Sequence, residues 1–275
     1  MNYLPLTVVL LALSGCADLS PQSRWQYADQ LADKAGWQKL RIPTETFVLS
    51  AYVPKYREQT NTLTVYIEGD GLAWLSRSQA SSDPTPRNPI GLELAIRHPE
   101  GAAVYLARPC QYVETGDVMD CRQKYWTNGR FAPEVIEASS QAISVLKQRL
   151  GATKLVLVGY SGGAAVAALV AARRNDVVRL VTVAGNLDHR AWTTMHHVPT
   201  LDESLNAADE WQALTTIPQR HFVGERDDVV GHVVADSYTA RFPPRQRPKV
   251  VTIPKFDHVC CWVEQWDSIW GMNPH

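Results

Sequence analysis

One decapeptide, Lys154–Gly163, narrows the folds open to this chain of 275 residues. Lys154–Val158 is short, aliphatic and β-branched, the pattern of a buried strand. Gly159-Tyr160-Ser161-Gly162-Gly163 follows and matches G-x-S-x-G, and Ala164–Arg173 is alanine-rich and helix-prone. A serine on so tight a turn takes a strained backbone conformation, and the positions two before and two after it must be very small. Its hydroxyl then stands clear of the sheet at a helix N-terminus, whose amides face any oxyanion that develops there. The five-residue pattern alone is weak, since any glycine-rich turn can match it. A strand before and a helix after make it specific.

Strands and helices alternate around this turn. Pro21–Gly36 carries Trp25, Ala28, Leu31 and Ala35 at helical spacing. Trp37–Ile42 and Phe47–Val53 read as strands joined by a turn at Pro43, and Leu63–Glu68 as a buried strand ending in Gly69-Asp70-Gly71. A polar, proline-dotted loop leads to a helix near Ile90–Arg97, then to a strand over Ala102–Ala107 and a long helix over Pro133–Leu150. Val178–Val183, Gln219–Val223 and Lys249–Ile253 are further strands, with helices expected over Gly231–Arg241 and Cys261–Trp270. This alternation predicts an α/β fold, a mainly parallel central sheet with helices on both faces. Active sites of such folds lie at the carboxyl ends of the strands.

The formal net charge of −1 and the absence of a basic patch argue against a nucleic-acid partner. Neither a P-loop nor a dinucleotide-binding glycine pattern is present, so no cofactor is expected. Leu4–Leu13 is an apolar run too short for a stable membrane span. It ends in Leu13-Ser14-Gly15-Cys16, which resembles the lipobox of bacterial lipoproteins, although no Lys or Arg precedes the run. That resemblance implies a signal peptide over 1–15, cleavage before Cys16 and a diacylglyceryl group on its thiol. Ala17 after the cysteine favours the periplasmic face of the outer membrane, while Asp18 pulls the other way. Export permits disulfides. Cys110 and Cys121, flanking a polar loop, are read as a pair. Cys260 and Cys261 are adjacent: a bond between them needs a strained peptide, and the alternatives are free thiols or a partner elsewhere. No Cys or His cluster has zinc-ligand spacing, so no metal is expected.

A serine needs an imidazole to take its proton and a carboxylate to orient that imidazole. His221–Gly224 ends a strand and leads into Asp227 and Asp228, and Phe256-Asp257-His258 follows the last strand directly. The order Ser, Asp, His, with G-x-S-x-G between strand and helix, resembles the α/β-hydrolase superfamily from about Leu40 onward. The resemblance implies Ser161 as nucleophile, Asp227 as orienting acid and His258 as general base. Gly224-x-x-Asp227 followed by Val229 and Val230 is similar to the family's acid loop, which favours Asp227 over Asp228. It also implies an oxyanion hole from Gly162 and from the loop after Glu68. Glu68 stands there in place of the family's histidine, so Asp70, Gly71 and Leu72 are all candidate donors and Gly71 is the choice. The loops Arg108–Tyr112 with Tyr125–Asn128, and Asn186–Asp188 with Leu205 and Asn206, are expected to shape the pocket, with a small cap or none.

The expected organisation is a signal peptide over 1–15, a tether and N-terminal helix over 16–36, and one α/β-hydrolase domain over 37–275. The expected function is a cell-envelope serine hydrolase cleaving a small acyl substrate, most simply a carboxylic ester, and held to the membrane through Cys16. The same triad serves amidases, peptidases and acyltransferases, and a catalytically idle binding lipoprotein would share the fold.

Overall fold

Alternation along the strands sorts the side chains into two cores, one on each face of a single sheet. The computed structural model describes residues 20–56, 59–114 and 120–272. Its strands are β1 (Trp37–Pro43), β2 (Val48–Pro54), β3 (Thr62–Ile67), β4 (Ala102–Leu106), β5 (Lys154–Tyr160), β6 (Val177–Val183), β7 (Gln219–Gly224) and β8 (Lys249–Ile253). They form an eight-stranded sheet in the order β1-β2-β4-β3-β5-β6-β7-β8. β2 pairs antiparallel with both β1 and β4, and every later pairing is parallel.

Leu63, Val65, Ile67, Leu155 and Leu157 face a core shared with helices α3 (Pro133–Arg149) and α4 (Gly162–Ala171). Tyr66, Val156, Val158 and Tyr160, one residue out of step, face the opposite core with α1 (Pro21–Lys34), α2 (Ile90–Ile96) and α8 (Trp266–Trp270). Burial on both faces is why β5 reads as an unbroken aliphatic run. Every residue of α4 is buried, so it is apolar all round, and its alanines let it lie close to the strands. Helix α3 has Glu134 in its first turn and Lys147 and Arg149 in its last, matching the helix dipole at both ends. Ser20 caps α1 by accepting from the Ser23 amide at 3.2 Å, and Ala28 and Ala32 are buried against the second core.

Two segments depart from the sequence expectation. Of Cys261–Trp270 only Trp266–Trp270 is helical; the preceding residues turn around Trp262, whose indole N–H donates to the Asp257 and His258 carbonyls at 3.0 and 3.2 Å. Between β6 and β7 lie two short helices, α5 (His189–His196) and α6 (Trp211–Leu214). Helix α5 was not foreseen; it starts where the Asp188 carboxylate accepts from the Arg190 and Ala191 amides. The remaining helix, α7 (Gly231–Thr239), follows β7.

Candidate active site

Ser161 sits one residue past β5, with φ 51° and ψ −122°. A β-carbon there is tolerated only because the turn is held from both sides. Gly163 is one reason the turn closes: a Cβ on it would run into the carbonyl oxygens of Ile67 and Glu68 at the end of β3. The Ser161 amide donates to Val183 O at 3.0 Å, and Ser161 O accepts from the Asn186 amide at 3.0 Å. The serine is thus tied to the ends of β5 and β6 together.

His258 lies beyond β8, and its Nε2 is 3.0 Å from Ser161 Oγ. Its Nδ1 is 3.0 Å from Asp227 Oδ2 and 3.2 Å from Oδ1. An ionised carboxylate only accepts, so Nδ1 carries the proton and Nε2 is left to accept from the serine hydroxyl. Asp227 Oδ1 also accepts from the Val229 and Val230 amides at 2.9 and 3.0 Å. Burial acts to raise the Asp227 carboxyl, but the His258 contact and these two amides hold it below its ordinary value. Asp228 is exposed, while Asp257 caps the next turn through its Oδ1, which accepts from Val259 and Cys260 at 2.8 and 2.7 Å. The His258 backbone is fixed in turn by the Tyr160 hydroxyl, which donates to His258 O at 3.0 Å. His221 instead serves the core: it is bonded to Thr182 Oγ1, and burial pushes its ring down to about 3.

The loop after β3 passes close to Ser161. Among its amides, that of Gly69 donates to Glu68 Oε1 at 2.9 Å and that of Leu72 to Pro84 O at 3.0 Å. Asp70 and Gly71 keep amides with no partner among the described residues, and both residues line the cavity beside Ser161. Leu72 is therefore removed from the candidate oxyanion donors. Glu68, at the position where a histidine was the family expectation, is wholly buried. Its Oε1 also accepts from the Gly91 amide at 3.2 Å, and Oε2 has no partner. Burial pushes its carboxyl up to about 7, against the opposing pull of those amides.

Sequence reasoning missed the charged group behind this loop. Asp70 is bound by Arg108 Nη1 at 3.1 Å and by Arg130 Nη1 at 2.6 Å. Burial alone would raise the Asp70 carboxyl, but the guanidinium groups of Arg130 and Arg108 hold it below its ordinary value. Arg108 Nη2 also donates to Arg130 O, and a Cβ on Gly162 would collide with the Asp70 carboxylate. Nothing in a linear pattern joins residues 70, 108 and 130. The one hint was that loops starting at Arg108 and ending at Asn128 were expected near the pocket. Ser161, His258, Gly71, Asn186, Trp192 and Arg130 all line one cavity of about 440 Å³.

The structure joins Cys110 to Cys121 and places the sulfurs of Cys260 and Cys261 against each other. Cys16 and the segment 1–15 lie outside the described residues. Among the described residues no group of three or more His, Cys, Asp or Glu is placed to hold a metal ion. No helix among them is long and apolar enough to cross a membrane.

No family model matches the chain, and no curated protein matches it in sequence. Solved structures do. Est1E from Butyrivibrio proteoclasticus superposes with a TM-score of 0.58 at 14% identity, covering 84% of this chain and 95% of that one. An esterase from Pyrococcus furiosus gives 0.58 at 14% identity over 86% of this chain and 88% of its own. An alpha-beta serine hydrolase homologue from Coxiella burnetii gives 0.55 at 16% identity over 84% and 93%. The chain has the α/β-hydrolase fold.

Proposed function

We propose that this chain is a serine hydrolase of the cell envelope that cleaves carboxylic esters through an acyl-enzyme. The observation that carries the reading is the unbroken hydrogen-bonded line from Ser161 through His258 to Asp227, at 3.0 Å per step. His258 Nε2 takes the hydroxyl proton as Ser161 Oγ attacks the ester carbonyl. Asp227 stabilises the imidazolium that forms, and the proton passes to the leaving alkoxide. The amides of Gly162 and Gly71 face the oxyanion; one such donor is typically worth about 3–4 kcal/mol of barrier. Water then repeats the sequence against the acyl-enzyme. Similarity to esterase structures supports the ester as the bond cleaved, and Leu13–Cys16 supports a lipid anchor on Cys16.

Intact-protein mass after fluorophosphonate treatment tests both halves. Wild type should gain one adduct, and Ser161→Ala and His258→Ala should gain none. Protein purified from membranes should begin at Cys16 and carry the added mass of the lipid. An adduct that persists in Ser161→Ala would sink the assignment of the nucleophile, and an unlipidated membrane-free chain would sink the anchor.

A further inference from the structure

Two side chains in the cavity hold hydrogen-bonding capacity that the protein does not use. Asn186 is 3% exposed, its buried Oδ1 has no partner, and its Nδ2 has none among the described residues. Arg130 is 4% exposed. Its Nε donates to Thr127 O at 2.7 Å and its Nη1 to Asp70 Oδ2 at 2.6 Å, but Nη2 has no hydrogen-bond partner among the described residues. The guanidinium also lies 5.8 Å from the centre of the Trp192 ring, so it is held at several points before any ligand arrives. Both residues line the cavity that contains Ser161, and Asn186 is tied to the nucleophile turn through its own amide.

The charge balance points the same way. Two buried guanidinium groups, Arg108 and Arg130, face the single carboxylate of Asp70, which leaves one positive charge in excess. Arg87, exposed at the cavity, adds a second. Glu68 is the other carboxyl lining the cavity, and burial pushes it up to about 7, so near neutrality it offsets that excess only in part. Trp74, Ile90, Val229 and Val259 supply apolar wall between these groups. The N–H groups of Arg130 Nη2 and Asn186 Nδ2, without partners among the described residues, are open to an acceptor that a ligand supplies, while the buried Asn186 Oδ1 is itself an acceptor and calls for a donor. A carboxylate brings two acceptor oxygens and the matching charge, whereas a plain alkyl chain brings neither.

We infer that Arg130 and Asn186 bind a carboxylate carried by the substrate, so that the preferred substrate is an ester with a free carboxylate on its acyl or its alcohol part. This rests on the serine-hydrolase reading of the same cavity. The test compares kcat/KM for two matched pairs. One is mono(para-nitrophenyl) adipate against its methyl ester, which share a leaving group. The other is para-acetoxybenzoate against methyl para-acetoxybenzoate. In at least one pair wild type should favour the anion by about 10- to 100-fold, mainly through KM. Arg130→Gln should bring that ratio to one or below, Arg130→Lys should keep part of it, and Asn186→Ala should lower it while the neutral ester is still cleaved. A merely structural role for Arg130 would slow both members alike and leave the ratio intact. Should Arg130→Gln fail to fold, Arg130→Lys and Asn186→Ala decide the matter through the same ratio. No preference for either anion in wild type, or a preference that survives these substitutions, overturns the inference alone. Wild type that cleaves no ester and takes no fluorophosphonate overturns the hydrolase reading beneath it.

Discussion

The two sides of the cavity are built on different principles. On one side, Ser161, Asp227 and His258 each stand within five residues of a strand end, on the short turns after β5, β7 and β8. The parallel strands deliver all three to one edge of the sheet, and the turn after β8 is held over Ser161 by Tyr160 and Trp262 donating to its carbonyls. On the other side lie two long connections, residues 68–89 and the described residues 107–114 and 120–132. They are sewn together by Asp70 with Arg108 and Arg130, by Gln111 donating to Gly69 O at 3.0 Å, and by Trp126 donating to Ser81 O at 3.0 Å. Arg24 of α1 reaches in behind to bind Asp83 at 2.9 Å. Long loops have no register of their own, so buried polar contacts must supply it. The groups proposed to break the bond thus stand on the short turns, while the cross-linked loops set the shape and polarity of the cavity.

Substitutions on the two sides should therefore fail in different ways. Asp227→Asn, on the turn side, should cut ester hydrolysis by about a thousandfold or more. It should cost only about 1–2 kcal/mol of stability, because the Val229 and Val230 amides keep an acceptor. Rate assays beside urea denaturation would check this, and global unfolding of the variant would break the comparison. Asp70→Asn, on the loop side, leaves two buried guanidinium groups without their anion and should cost about 3–5 kcal/mol at neutral pH. The Asp70 carboxyl is held below its ordinary value, so its contribution is full above that ordinary value and is lost as pH falls from there through the lowered value of the folded chain. The gap between wild type and variant should shrink on acidification; a pH-independent gap would mean that charge is not what Asp70 supplies. Glu68→Gln should give the smallest change. The Glu68 carboxyl is raised from 4.5 to about 7, so the folded chain holds a proton that the unfolded chain has released. Stability from this group is thus full below pH 4.5, falls as pH rises to about 7, and is flat above, a loss of about 3 kcal/mol at most. Urea denaturation at acid and at mildly alkaline pH should show wild type losing more than Glu68→Gln over that interval. Equal losses would show that Glu68 ionises without penalty.

The turn side was largely legible in advance. G-x-S-x-G between an aliphatic strand and an alanine-rich helix encodes its own geometry, because the small residues are demanded by backbone contacts within that same turn. Asp227 and His258 stand out in the sequence because each follows a strand, and strands show in composition and period. Helix α5 and the early end of the expected Cys261–Trp270 helix were not legible. One depends on a single capping carboxylate, and the other on Trp262 bonding to carbonyls beside the histidine.

The loop side was almost silent. Arg130 in the sequence is one arginine among many, and Asn186 one amide in a short loop. Burial, an unsatisfied donor and a shared cavity are relations between distant segments, and no local pattern records them. What this chain's sequence determined by itself is the alternating α/β order, the strained serine turn, and the residue types that follow the other strand ends. Each of those is enforced by sterics and periodicity within a few neighbouring residues. Only the tertiary structure decided that Asp70 pairs with Arg108 and Arg130, that Leu72 gives its amide to Pro84, and that Arg130 and Asn186 reach the same cavity as Ser161. Those outcomes depend on how two long loops pack against each other, and packing is settled by the whole core at once.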